Sequence, residues 1–365
     1  MKPLLTILLS VSLAFTAAGQ EESGFTNKKE AQNQLKDGVK EGKWVDYYVS
    51  DNGTITTDTN AAFYVLSNYK NGKRYGIARE YVKNGYLITE VVYKDGKKEG
   101  PEKVYYKNGT IKAEMPFKDG KLNGKGKTYF ENALLWTEDS WLDGKQDGLQ
   151  VMYFQSGKLH SKTMFKNGLR NGPDTLYWEE GKVKSITTYA ENKRNGMERD
   201  YYKAGGLWTE IIYKDDKKNG TRKMYFDASR IEDDKQDYYK NGGLWIETPF
   251  RDDRRDGVEK AYSKTGKLLS ETSFIDDEKN GTIKIYNQDG NLSTETPYSG
   301  DQKNGIEKSY NANGTLNSET PYKNDKKDGV EVEYYENGMV KSEITYRDGI
   351  LESIVNCDLK GNEIK

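Results

Sequence analysis

The sequence from Tyr93 to Phe117 reads YKDGKKEGPEKVYYKNGTIKAEMPF, and close variants of it follow one another along the chain. The tyrosine in its middle recurs every 24 residues in two runs, which are Tyr81, Tyr105, Tyr129, Tyr153, Tyr177, Tyr201 and Tyr225, then Tyr262, Tyr286, Tyr310 and Tyr334. A period of roughly 20 to 50 residues is typical of a structure that stacks one supersecondary unit. The sequence therefore predicts a tandem array.

Each of these column tyrosines stands at a fixed distance from three other residue types. A glycine lies five residues before it, an aromatic residue twelve residues before it, and an aliphatic residue six residues after it. Around Tyr105 these residues are Gly100, Tyr93 and Ile111. Four columns with one period indicate that every repeat folds in the same way.

Two tight turns are predicted in each repeat. Asn108-Gly109 is a strong hairpin signal, because a type I′ turn requires positive φ at both central residues. It separates a strand from about Pro101 to Tyr106 from a second strand, from about Thr110 to Phe117, in which apolar and polar residues alternate. Asp119-Gly120 then leads the chain into the next repeat.

The predicted fold is all-β, an elongated antiparallel β-hairpin repeat solenoid in which short strands form a single-layer twisted meander. Two strands per repeat, at ~4.8 Å each, advance the array by roughly 10 Å per unit. The inner face offers small residues such as Ala113, Ser161, Thr209 and Ser318. We therefore expect the tyrosine rings to pack against those of neighbouring repeats, with the hydroxyls at solvent or at a backbone group.

Two segments carry a resemblance to a known family. They are YKNGKRYG from Tyr69 to Gly76 and FKDGKLNG from Phe117 to Gly124, and both resemble MORN repeats. The resemblance covers roughly Leu35 to Lys365 and points to the bacterial variant known as the YwqK-like antitoxin component. It implies a β-hairpin solenoid that binds or organises partners, with phospholipid headgroups and proteins as the ligands proposed for the family.

The repeat pattern divides the chain into four parts. They are a signal peptide at residues 1–19, an N-terminal segment with a divergent first repeat at 20–68, a repeat array at 69–236, and a second array at 237–365 that follows a shortened repeat and ends in a cap. About ten extra residues lie between Gly53 and Tyr69. The spacing from Tyr213 to Phe250 is 37 rather than the 48 of two repeats, which we interpret as about eleven missing residues and a bend near Arg230 to Asp237.

The first nineteen residues have the composition of a secretory signal peptide. A basic residue precedes an apolar run from Leu4 to Phe15, and small residues at Ala17 and Gly19 suit cleavage before Gln20. The run is too short to span a bilayer. Because the single cysteine, Cys357, is far from that cleavage point, no lipid anchor is expected. We expect a secreted, periplasmic or outer-surface protein.

Composition argues against several classes of function. Lys and Arg number 57 and Asp and Glu 58, for a formal charge of -1, so long-range attraction to nucleic acid is not indicated. The single histidine, His160, has no second histidine and no nearby cysteine with which to bind zinc or build a triad. We predict no catalytic, cofactor-binding or metal-binding residue and no enzyme activity.

Acidic residues also follow the repeat. Column glutamates occupy one repeat position, which we interpret as a solvated ladder on the outer face rather than a catalytic pair. They are Glu90, Glu114, Glu138, Glu210, Glu271, Glu295, Glu319 and Glu343. The doublets Asp215-Asp216, Asp252-Asp253 and Asp276-Asp277 lack the spacing of calcium β-rolls and EF-hands, which argues against calcium binding.

Two sets of side chains are candidates for ligand contact. Four tryptophans beside the core columns are expected to face outward, namely Trp136, Trp178, Trp208 and Trp245. A basic edge is expected along the connecting turns, and it includes Lys97, Lys121, Lys145, Lys193 and Lys217. Acidic neighbours dilute this edge, which favours a solvated, aggregation-resistant surface over a phosphate-binding strip.

These observations favour an exported, non-catalytic β-repeat scaffold that binds a protein partner in the cell envelope or outside the cell. Two alternatives stay open. The tryptophans would bind a glycan or a cell-wall polymer, or the basic edge would bind phospholipid at a membrane surface. Open strands at the ends of the array would also allow a homodimer.

Overall fold

The computed structural model of the protein describes residues 24–49, 55–228 and 242–364. The predicted signal peptide at residues 1–19 and the predicted bend near Arg230 to Asp237 lie outside these residues. The chain divides into two compact units, Met1–Ala133 and Leu134–Lys365. In each unit, consecutive short strands pair in antiparallel fashion, so the predicted all-β hairpin meander is confirmed.

The first unit consists of strands β1 to β9 and two short 3-10 helices, Lys28–Glu30 and Asp58–Asn60. Its strands are β1 Gln34–Lys36, β2 Val39–Tyr48, β3 Phe63–Lys70, β4 Lys73–Val82, β5 Leu87–Lys94, β6 Lys97–Tyr105, β7 Ile111–Lys118, β8 Lys121–Leu122 and β9 Gly124–Tyr129. No helix among the described residues is long and apolar enough to cross a membrane.

The second unit continues the same alternation of strands. Its first half contains β10 Leu135–Leu142, β11 Lys145–Gln146, β12 Gly148–Tyr153, β13 Leu159–Lys166, β14 Leu169–Tyr177, β15 Val183–Ala190, β16 Lys193–Tyr201, β17 Leu207–Lys214, β18 Lys217–Lys218, β19 Gly220–Tyr225, β20 Leu244–Arg251 and β21 Arg254–Arg255. Its second half contains β22 Gly257–Tyr262, β23 Leu268–Ile275, β24 Glu278–Lys279, β25 Gly281–Tyr286, β26 Leu292–Ser299, β27 Gln302–Lys303, β28 Gly305–Tyr310, β29 Leu316–Lys323, β30 Lys326–Lys327, β31 Gly329–Tyr334, β32 Val340–Arg347 and β33 Ile350–Asn356.

The two turns of a repeat differ in geometry. Asp119 and Gly120 both have positive φ, 50° and 82°, as a type I′ turn requires. At the other turn Gly109 has a φ of 85°, whereas Asn108 is not in the left-handed region and its side-chain oxygen accepts a hydrogen bond from the Thr110 N–H at 2.9 Å. The prediction of a type I′ turn at Asn108-Gly109 is therefore wrong, because the strand register shifts there and the glycine completes a bulged loop.

Strand pairing explains the glycine and aromatic columns. The column glycine pairs with the column aromatic across the hairpin, as Gly305 does with Tyr322 and Gly100 does with Phe117. Gly305 has a φ of 123°, and a Cβ on it would lie 2.7 Å from Cγ of Pro297. Both the backbone conformation and the available space therefore require glycine at this position.

The divergent first repeat keeps the common register. Gly42 pairs with Tyr69 in the same way as Gly76 pairs with Tyr93 in the next hairpin. The additional residues of this repeat therefore lie in the hairpin loop between β2 and β3.

The irregular spacing in the middle of the chain has a similar cause. Gly220 pairs with Phe250, and Tyr225 pairs with Leu244, so β19 and β20 form a hairpin of the usual register. Eighteen residues separate Tyr225 from Leu244, whereas five separate Tyr201 from Leu207. The spacing of 37 is thus one repeat with thirteen additional residues between its two paired strands. The interpretation of a shortened repeat with a missing connection is wrong, because the flanking strands pair directly.

An apolar core is found at the beginning of the first unit. Phe25, Val45, Leu66 and Tyr81 pack together, and Leu66 is 0% exposed. In the second unit many of the buried side chains are threonines instead, at Thr137, Thr163, Thr248, Thr296 and Thr320. Burial of apolar surface alone therefore does not hold these later repeats together, and contacts between polar side chains take on that role.

Candidate functional site

Tyrosine and glutamate side chains link successive hairpins on one face of the sheet. Glu295 accepts a hydrogen bond from the hydroxyl of Tyr310 in the next repeat at 3.1 Å, and Lys284 of its own hairpin lies 3.4 Å away. We call this arrangement the tyrosine–glutamate ladder. The same bond joins Tyr105 to Glu90, Tyr129 to Glu114, Tyr225 to Glu210, Tyr262 to Glu247, Tyr286 to Glu271 and Tyr334 to Glu319.

This ladder corrects the expectation of a solvated row of glutamates. The side chains of Glu295 and Glu319 are 26% and 29% exposed, and each carboxylate has a tyrosine and a lysine as partners. Burial and the hydrogen bond to Glu210 raise the pKa of Tyr225 to about 12. Glu343, in the last column position, is exposed as expected. The positions of these glutamates were predictable from the sequence pattern. Their tyrosine partners were not, because those tyrosines belong to the next repeat.

A second ladder lies on the opposite face. Thr296 Oγ1 donates a hydrogen bond to Glu307 at 2.7 Å, and Lys303 Nζ donates to the same carboxylate at 2.6 Å while lying 4.6 Å from the centre of the Tyr322 ring. Equivalent threonine bonds join Thr163 to Asp174, Thr187 to Glu198, Thr248 to Glu259 and Thr320 to Glu331. Sequence reasoning missed this ladder, although a threonine recurs eleven residues before each of these acids.

The acidic doublets form turns and link them to one another. Asp276 and Asp277 have positive φ, 49° and 73°, and the Asp277 carboxylate accepts a hydrogen bond from the Arg255 N–H at 2.8 Å. Asp216 accepts in the same way from Arg194, and Asp253 from Lys218. Their carboxylates thus connect successive turns through hydrogen bonds to the backbone. No group of three potential metal ligands is found in the part of the chain that the structure describes.

The lysines of the predicted basic edge lie beside turns of this kind in both units. The five lysines singled out from the sequence are exposed there, namely Lys97, Lys121, Lys145, Lys193 and Lys217. Lys97 lies 3.7 Å from Asp119, and Lys193 lies 3.9 Å from Asp215. Neighbouring aspartates therefore offset part of the positive charge along this edge.

The tryptophans lie on the other row of turns. We define the loop edge as the hairpin loops that follow the column tyrosines, together with the second residue of the strand after each loop. At this edge Trp136, Trp208 and Trp245 are 44%, 42% and 40% exposed, whereas Trp178 is partly buried. The ring centres of Trp208 and Tyr202 are 6.1 Å apart, and those of Trp245 and Phe226 are 5.8 Å apart.

One groove at the loop edge combines aromatic and basic side chains. Its volume is about 310 Å³, and its lining includes Phe154, His160, Tyr177, Trp178 and Lys184. The rings of Phe154 and His160 meet edge to face at 4.5 Å, and Lys184 Nζ lies 4.8 Å from the centre of the Trp178 ring. We call this site the aromatic groove. The sequence argued against His160 as a metal ligand, and in the structure its ring is part of the lining of this groove.

Two acidic residues also line the aromatic groove. Lys203 Nζ lies 2.8 Å from Glu180, which offsets one of these charges, while Glu179 is the other acidic residue of the lining. A groove at the equivalent position in the first unit has a volume of about 340 Å³ and is lined by Val82, Tyr86 and neighbouring residues. Grooves of this kind thus recur where one loop follows another.

The tyrosine–glutamate ladder is interrupted at the aromatic groove. Lys162 occupies the position of the column glutamate, and it pairs with Thr175 as Glu114 pairs with Lys127. Within the residues that the structure describes, neither a hydrogen bond to the Tyr177 hydroxyl nor a carboxylate partner for Lys162 is found. In the next repeat Ile186 takes the glutamate position. The gap was visible in the sequence as two missing members of the glutamate column, and sequence reasoning did not use it.

The model of the MORN repeat variant family matches five segments, at residues 98–119, 146–167, 255–276, 303–324 and 327–348. Each segment begins two residues before a column glycine and ends in the turn that follows a column aromatic. These five segments are MORN variant repeats. One MORN variant repeat thus corresponds to one hairpin and its following turn. The finer assignment to the YwqK-like antitoxin component stays a prediction.

Other comparisons add little about the MORN variant array. No curated protein matches the chain. A crystal structure of TcdB2-TccC3-Cdc42 is 14% identical, with 89% of this chain and 21% of that chain covered and a TM-score of 0.17. A crystal structure of TcdB2-TccC3-TEV is 13% identical, with 84% of this chain and 20% of that chain covered and a TM-score of 0.15. The chain spans about a fifth of the length of these proteins. Such low TM-scores carry no argument about fold or function.

Proposed function

We propose that this protein is an exported, non-catalytic scaffold whose loop edge binds a protein partner in the cell envelope or outside the cell. One observation carries the proposal. Many charged side chains of both sheet faces are engaged in the two ladders, whereas ring surface at the loop edge is exposed, at Trp136, Trp208 and Trp245. Aromatic side chains of this kind are enriched at the centres of protein interfaces.

Export is the part of the proposal that rests on residues 1–19 alone. The experiment is to compare cytoplasmic, envelope and medium fractions for the full chain and for a variant that lacks residues 2–19. We expect the full chain outside the cytoplasm and the variant inside it. Recovery of both proteins from the cytoplasm would contradict export.

The binding experiment is a pull-down from solubilised envelope and culture medium with the immobilised chain. We expect saturable recovery of one or two proteins, and loss of that recovery in a variant with both Trp208→Ala and Trp245→Ala. A matched control changes Ser293 and Asn317 to alanine, because these residues hold the same repeat position in loops without tryptophan. Equal recovery by both double variants would contradict a role for the loop edge.

Glycan binding at the same edge is the second candidate function. The observation that favours it is the pairing of tryptophan with a second ring, as in Trp208 with Tyr202 and Trp245 with Phe226. Broad apolar ring faces with a polar tip suit the stacking of sugar rings. Retention on immobilised polysaccharide tests it, and we expect the double tryptophan variant to lose retention without loss of its fold. Unchanged retention would contradict this candidate.

Phospholipid binding through the basic edge ranks below both. The aspartates near Lys97 and Lys193 reduce the positive potential that an anionic membrane surface would require. Binding of the chain to anionic vesicles that weakens with added salt would support phospholipid binding through the basic edge.

A further inference from the structure

We propose that the aromatic groove holds a sugar acid, a pyranose ring that carries its own carboxylate, as one residue of an acidic polysaccharide. This inference rests on glycan binding, the second of the two functions proposed above, and names the ligand class. The carboxylate would occupy the gap in the tyrosine–glutamate ladder beside Lys162 and Tyr177, while the ring would lie against Phe154, His160 and Trp178.

The first argument comes from the complete repeats. There the carboxylate of a column glutamate accepts a hydrogen bond from the tyrosine of the next repeat, at 3.0 Å for Glu114 and Tyr129. At the gap the tyrosine is retained as Tyr177, but the acid is replaced by Lys162, so a hydroxyl donor and a cation lie on one face without a carboxylate. A carboxylate from outside the chain would restore the missing acceptor and gain charge-assisted hydrogen bonds.

The positions of these groups follow from the register. Lys162 pairs with Thr175, and Tyr177 follows two residues later on the same face of the neighbouring strand. Diagonal neighbours of this kind are roughly 7–8 Å apart, which long side chains span. The same diagonal relation places Glu114 and Tyr129 within hydrogen-bonding distance. One carboxylate can therefore contact both Lys162 and Tyr177.

The second argument comes from the aromatic lining. The rings of Phe154, His160 and Trp178 border a groove of about 310 Å³, which is within the range of small-ligand sites. A sugar acid presents a stacking face and a carboxylate in one rigid ring. An acidic peptide carries its carboxylate on a flexible stem and needs a second residue to fill the groove, which costs more conformational entropy on binding. The combination of rings and a carboxylate gap in one place thus favours the sugar acid.

The charge of the surroundings agrees with an anionic ligand. Lys184 and Lys203 line the groove, and Lys158 and Lys182 lie in its loops. The acidic residues of the lining are Glu179 and Glu180, and the second is paired with Lys203. The local balance is therefore positive, although the whole chain has a formal charge of -1.

Calorimetric titration of the full chain tests the proposal with three probes. They are an oligomer of galacturonic acid, its methyl ester, which keeps the rings and lacks the charges, and polyglutamate as an acidic peptide. We expect the acid oligomer to bind and the ester to bind at least about tenfold more weakly, as the loss of one charge-assisted hydrogen bond implies.

Lys162→Glu is the decisive variant because it restores the ladder from within the chain. We expect it to lose binding of the acid oligomer by about tenfold or more and to unfold at the same or a higher temperature. Lys323→Glu is the matched control, since it makes the same charge change at the exposed last residue of β29 in the same unit and should leave binding unchanged. Tyr177→Phe should weaken the acid oligomer more than the ester.

Each result decides between the proposals. Equal binding of acid and ester, or unchanged binding by Lys162→Glu, would overturn the sugar-acid site and leave glycan stacking at the loop edge intact. Tight binding of polyglutamate with the same dependence on Lys162 would overturn the ligand class in favour of an acidic peptide. Failure of the unaltered chain to bind either oligomer would overturn the sugar-acid site, whereas retention on immobilised polysaccharide decides glycan binding at the loop edge separately.

Discussion

The hairpins from β22 to β31 and those from β12 to β15 share one register but differ in their side-chain contacts. In the first group the tyrosine–glutamate ladder is complete, at Glu271, Glu295 and Glu319. In the second group it is interrupted at Lys162 and Ile186. Strand pairing is nevertheless the same in both, with glycine opposite aromatic in every hairpin.

The loops of the two groups differ as well. After the column tyrosine the interrupted hairpins carry the aromatic residues Phe154 and Trp178, whereas the hairpins that begin with β22, β25 and β28 carry the polar residues Ser263, Asn287 and Asn311. The comparison indicates that backbone pairing and the glycine column suffice to place each hairpin, and we predict that the ladder adds stability where it is present. Where the ladder is interrupted, the side chains at its positions are available to bind a ligand.

Replacement of a column glycine should have the largest effect and should be greater in the complete hairpins. In Gly305→Ala the new Cβ lies 2.7 Å from the Pro297 ring and the φ of 123° disfavours alanine, so we expect a loss of roughly 2–5 kcal/mol. In Gly172→Ala, in the interrupted group, the nearest atom is Met164 Cβ at 3.2 Å, which needs a smaller shift. Urea unfolding of both variants measures the difference, and a larger loss for Gly172→Ala would contradict this interpretation of the packing.

Removal of a ladder glutamate should come next in size. Glu295→Ala leaves the Tyr310 hydroxyl and Lys284 without their shared carboxylate, and we expect a loss of about 1–3 kcal/mol. Lys162→Ala removes an exposed side chain and should change stability by less than about 0.5 kcal/mol. Hydrogen exchange in the flanking strands checks both, and equal protection in the two variants would argue against a stabilising ladder.

The repeat and its strands were predictable because they depend on local signals. Asp119-Gly120 and the alternation from Ile111 to Phe117 determine a turn and a strand within one unit. The ladders were not predicted, because each contact joins side chains that the register brings together across two hairpins, as for Glu295 and Tyr310. The irregular spacing after Tyr225 was misinterpreted for the same reason, because counting residues cannot show that β19 pairs directly with β20.

Removal of a tyrosine hydroxyl alone should give a smaller difference in stability between the complete and the interrupted hairpins. Tyr310→Phe removes the hydrogen bond to Glu295 and keeps the ring, so we expect a loss of about 1–2 kcal/mol. Tyr177→Phe removes a hydroxyl at the gap and should cost less than about 0.5 kcal/mol. Thermal unfolding of the two variants measures this contrast. Equal losses of stability would mean that the Tyr177 hydroxyl also has a hydrogen-bond partner in solution, which would contradict the interruption of the ladder at this position.

The smallest effect should be a loss of ladder contacts as the pH rises in the alkaline range. Burial and the hydrogen bond to Glu210 raise the pKa of Tyr225 to about 12, from an ordinary value near 10. Because the pKa is higher in the folded state than in the unfolded state, this link is fully formed below pH ~10 and is lost as the pH rises through ~12. Ultraviolet titration of tyrosine ionisation should show one group fewer in the upper window for Tyr225→Phe. Identical titration curves for the variant and the unaltered chain would show that the ladder does not hold this hydroxyl in solution.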